Sequence, residues 1–129
     1  STSVTLVVDQ RLAWSTAGKV AWTVMRTGAS PILVQGLGPD PLHPLAAVPL
    51  LSPGAAPSAD LAIDPGGLTL RCLTDSHFPA LAELPALVAS CGATLRLTAT
   101  PDTSWKRMVD VLGVLADARV AITDIVVPP

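Results

Sequence analysis

Between residues 93 and 127 the apolar positions change period twice. Leu95 and Leu97 alternate with Arg96 and Thr98, the two-residue period of a half-buried strand. Trp105, Met108, Val109, Leu112 and Leu115 then recur at helical spacing and form one stripe. Val120, Ile122 and residues 125–127 return as a β-branched run that Pro128-Pro129 closes. Between the first strand and the helix, Pro101-Asp102-Thr103-Ser104 breaks the extended run and supplies side-chain oxygens for the free amides of a first helical turn. The pattern predicts strand, crossover helix and strand, with the two strands parallel.

The same pattern occurs earlier. Residues 4–8 are a β-branched strand, Asp9-Gln-Arg-Leu12 is a turn, and Trp14 opens a helix. Ala17, Ala21, Val24 and Met25 continue its stripe, and Gly28 suits a left-handed C-cap. Residues 31–35 form the return strand. Setting Trp14 on Trp105 without gaps pairs Leu6 with Leu97, Val20 with Val111 and Val24 with Leu115. We read this as an internal repeat.

Residues 39–58 between the copies are rich in proline, which fixes backbone angles and removes amide donors, so turn or polyproline-like structure is expected there. Its apolar members, Leu42, Leu45, Val48 and Leu50, are expected to pack against the flanking units rather than face water. Asp64-Pro-Gly-Gly67 separates two alternating runs and predicts a hairpin. A helix is expected over 78–90, with Pro79 in its first turn and Pro85 producing a kink or a late start. The predicted fold class is α/β (α+β in some schemes), with mixed sheets and helices on one face of each. The predicted organisation is a partial βαβ repeat over 1–38, the connector over 39–58, and a hairpin–α–β–α–β domain over 59–129.

Leu95, Leu97, Trp105, Met108, Val111, Leu112, Leu115, Ile122 and Ile125 resemble the end of the periplasmic domain of the ExbD/TolR biopolymer-transport family. Trp105 stands where that family usually has Tyr. Thr100 stands where it usually has a strand-end Asp, a position that Asp9 fills in the first copy. The hairpin and helix over 61–92 extend the resemblance upstream. It implies a non-catalytic periplasmic domain of an inner-membrane, proton-motive-force-coupled complex, working by partner binding and dimerisation. The implied partners are a companion membrane channel subunit and an envelope-spanning protein. Family members carry an upstream membrane helix with an ion-handling Asp. Because the sequence opens on Ser1, we expect a trimmed fragment of such a protein.

Composition narrows the alternatives. At 129 residues and 50% hydrophobic the chain holds enough apolar surface for one domain or one and a half small ones. Charged residues make up 14% and the net charge is −2, with Lys19, Arg26, Arg71 and Arg96 scattered, so nucleic-acid binding is not expected. Cys72 and Cys91 are either a disulfide, worth about 3 kcal/mol in an oxidising compartment, or two small buried thiols. They lack metal-ligand spacing, and neither a metal nor another cofactor is expected.

Asp75-Ser76-His77 contains the residue types of a hydrolytic triad, but neighbours in sequence do not converge as nucleophile, base and orienter. A helix cap is the expected role of Asp75 or Ser76. Cys91 follows a helix C-terminus, where the dipole disfavours a thiolate. The chain is therefore expected not to be an enzyme. The candidate partner-binding residues are Asp9, a strand-end carboxylate, and Trp22, which aligns with Gly113 and points off the stripe beside Lys19 and Arg26. The runner-up function is a small-ligand-sensing regulatory βαβ domain, and a weaker third is a hydrolase using His77.

Overall fold

The computed structural model describes residues 4–28, 32–37, 46–48, 57–72, 75–92 and 94–126. In chain order these are β1 (Val4–Asp9), α1 (Trp14–Arg26), β2 (Ile32–Leu37), β3 (Ala46–Val48), β4 (Ala59–Ile63), β5 (Leu68–Arg71) and β6 (Ser76–His77). A 3-10 turn (Leu81–Glu83), α2 (Leu84–Ser90), β7 (Thr94–Ala99), α3 (Trp105–Asp117) and β8 (Ala121–Val126) follow. Two mixed sheets result, ordered β1-β2-β3 and β6-β5-β4-β7-β8. The fold is α/β, as the periodicities require.

The repeat is visible in the strand register. In the first unit Thr5, Leu6 and Val7 lie opposite Leu33, Val34 and Gln35. In the second, Arg96, Leu97 and Thr98 lie opposite Asp124, Ile125 and Val126. These pairs are related by the same gapless offset that sets Trp14 on Trp105, and both pairings are parallel. A one-residue irregularity beside Leu95 is the point where the ladders diverge. Both 13-residue helices begin on their tryptophan. Past their ends, Gly28 and Arg119 occupy equivalent positions, and both adopt positive φ, 79° and 58°. Only glycine does so without steric cost.

The two units meet where their helices begin. Trp14 N donates to Thr103 O and Ser15 N to Pro101 O, while Trp105 N donates to Leu12 O and Lys106 N to Gln10 O. Each bond has its counterpart at the repeat offset, and Ala13 and Ser104 face each other across the junction. The first amides of a helix have no partner within it, so each unit's turn caps the other unit's helix. Over this junction Trp14 and Trp105 stack, with centroids 6.5 Å apart and planes within 4°. Both rings are buried, among the largest fully buried side chains of the core.

The stack is not symmetric in its polar atoms. Trp105 Nε1 donates to Gln35 O at 3.1 Å, whereas Trp14 Nε1 is buried with no partner. Trp14 lies over Gly18, where an added Cβ would come within 2.8 Å of the indole. The second unit has Val109 at that position. Gly18 costs its helix about 1 kcal/mol against alanine, and the indole occupies the space an alanine would need.

Several expectations are corrected. Asp75 and Ser76 cap no helix: Ser76 pairs in β6 opposite Arg71, and Asp75 O accepts from Cys72 N. Pro79 precedes the 3-10 turn instead of entering a helix, whereas α2 starts late, as one of the two outcomes expected for Pro85, which stands in its first turn, where a missing amide costs nothing. Within the connector, Ala46–Val48 forms a strand antiparallel to β2, a pairing that short apolar residues between prolines do not announce. Strand β3, which includes Val48, lies close to α3. Leu42, Leu45 and Leu50 lie outside the described residues.

Replacing each indole by a phenyl ring tests the asymmetry. Trp105→Phe removes the bond to Gln35 O, while Trp14→Phe removes a donor that already has no acceptor. By the usual net worth of one buried hydrogen bond, we expect Trp105→Phe to destabilise by about 1–2 kcal/mol more than Trp14→Phe in urea unfolding. Equal losses would show that the Gln35 bond contributes nothing.

Candidate functional site

Asp9, at the end of β1, is held within its own turn. Its Oδ1 accepts from Arg11 N at 2.9 Å and Arg11 Nε at 3.1 Å, and its Oδ2 from Arg11 Nη2 at 2.8 Å. The Arg11 side-chain and backbone hydrogen bonds hold the carboxyl at about 2, below its ordinary 3.8. The guanidinium is raised in turn. At the equivalent place Thr100 Oγ1 shares a 2.7 Å hydrogen bond with Thr103 Oγ1, so the carboxylate is not a structural requirement of the turn.

Trp22 is half exposed on α1, with the Arg26 guanidinium 4.7 Å above its ring. That spacing is one helical turn, and the cation covers one face of the indole. Cys72 and Cys91 form a disulfide with Cα atoms 5.8 Å apart. It ties the end of β5 to the end of α2. Ser76 and His77 are neighbours on a strand and so project to opposite faces. No functional group converges on His77 from another element in any hydrogen bond or ion pair of the described residues.

A larger feature appears when the units are compared position by position. In the second unit, β7 is flanked on its outer side by β4, in parallel, and α3 is flanked by α2. The described elements of the first unit supply β1 and α1 with no counterpart of either. The consequences are local. Val20 is 43% exposed, whereas its counterpart Val111 is fully buried. Leu12 is 39% exposed, and its counterpart Thr103 is buried, with its hydroxyl donating to Ile63 O of β4. Val7, on the outermost strand, is 48% exposed. Sequence reasoning passed over these residues because Val7 fits its strand, Val20 its helix and Leu12 its turn. The usable signal was the repeat alignment, at whose offset none of the described residues corresponds to residues 59–92.

Asp9 and Trp22 do not meet in this surface as a pair: Asp9 is engaged by Arg11 and Trp22 by Arg26. Phe78, expected inside a helix, instead precedes the 3-10 turn and is the most exposed large apolar side chain among the described residues. Among the described residues no group of three or more His, Cys, Asp or Glu is placed to hold a metal ion. No described helix is long and apolar enough to cross a membrane.

No family model, curated protein or solved structure matches this chain.

The Asp9 turn has a definite pH signature. A carboxyl whose folded pKa is depressed stabilises above its ordinary range, and that contribution fades as pH falls through the folded value, here about 2. Both partners are exposed, so solvent keeps the effect small. A carbon-detected titration should place Asp9 near 2, and Arg11→Ala should return it towards 3.8. A midpoint unmoved by Arg11→Ala would mean that the pair does not form in solution.

Proposed function

We propose that this chain is a non-catalytic protein-binding domain on the periplasmic side of an inner-membrane, proton-motive-force-coupled biopolymer-transport complex. The observation that carries this reading is the unequal covering of its two units. One is completed by a hairpin and a helix, and the other has no described element beside the corresponding strand edge and helix flank. Exposed apolar residues beside an unpaired strand are ordinarily suppressed in a monomer, and where they persist they mark a contact surface.

Two further observations support the setting. The Cys72–Cys91 disulfide suits an oxidising compartment. Apart from the added β6 and 3-10 turn, the order β4-β5-α2-β7-α3-β8, with β7 and β8 parallel, agrees with the hairpin–α–β–α–β expected from the sequence. The partners are then the companion channel subunit, an envelope-spanning protein, or a second copy of the chain.

Affinity capture from the native host's envelope membranes, with the intact chain as bait, tests this reading. We expect a multi-span channel-forming subunit to be retained through a mild detergent wash. Recovery of soluble metabolic enzymes alone would overturn it in favour of a sensor domain.

A further inference from the structure

We draw no further inference here: the strongest candidate, the outer edge of β1, which among the described strands pairs only with β2, carries nothing because nothing in the structure shows what covers it.

Discussion

Each helix of the repeat is capped by the turn of the other copy, and the remainder of the structure depends on that exchange. A helix start presents unpaired amides that water or a side chain must satisfy. Here Ser104 caps α3 through its hydroxyl, which accepts from Arg107 N at 3.2 Å. The corresponding residue of α1 is Ala13, which has no side-chain oxygen to offer. The leading amides of α1 are met instead by Thr103 O and Pro101 O, and those of α3 by Leu12 O and Gln10 O. These bonds run beside the buried tryptophan stack, and losing either turn leaves donors unmet, at about 1–3 kcal/mol for each that is shut off from water.

A junction of this kind imposes a twofold relation on the units, as an isologous interface does between subunits. It does not require them to be equal beyond it, and they are not. In the second unit α3 is flanked by α2 and the 3-10 turn and lies close to β2 and β3 of the other sheet, and its buried stripe widens to include Val111 and Leu115. The first keeps a narrower buried set, Trp14, Ala17, Gly18 and Ala21, with small residues where the second has large ones. Small residues let Trp14 lie close over its own helix, and the indole nitrogen is left without an acceptor. Val20 and Leu12 are open for a separate reason, since no described element stands where α2 and β4 cover their counterparts.

Much of this was legible in the sequence. The period changes from 2 to 3.6 and back located the helices and strands of both units, because alternation and helical stripes are imposed by burial on one face. The gapless alignment of Trp14 on Trp105 anticipated the register and the helix starts. What remained hidden depends on partners distant in sequence. Strand β3 is three residues long and exists because β2 offers an edge. Strand β6 is shorter still and pairs with β5. Asp75 and Ser76 carry cap-forming side chains, but the β5 edge claims Ser76 and the Cys72 amide claims the Asp75 carbonyl. The candidate site was the least legible part. Asp9 and Trp22 were chosen for their chemistry, and both are engaged by arginines close by in sequence. That no described strand lies beside β1 shows only on comparison of the two copies.

Native-state hydrogen exchange at the junction tests the central claim most directly. If reciprocal capping joins the units into one cooperative structure, the amides of Trp14, Ser15, Trp105 and Lys106 exchange only through global unfolding, all with the same opening free energy. If instead Trp14 and Ser15 open with the first unit while Trp105 and Lys106 stay protected, each helix is capped on its own. The mutual dependence described here would then be wrong.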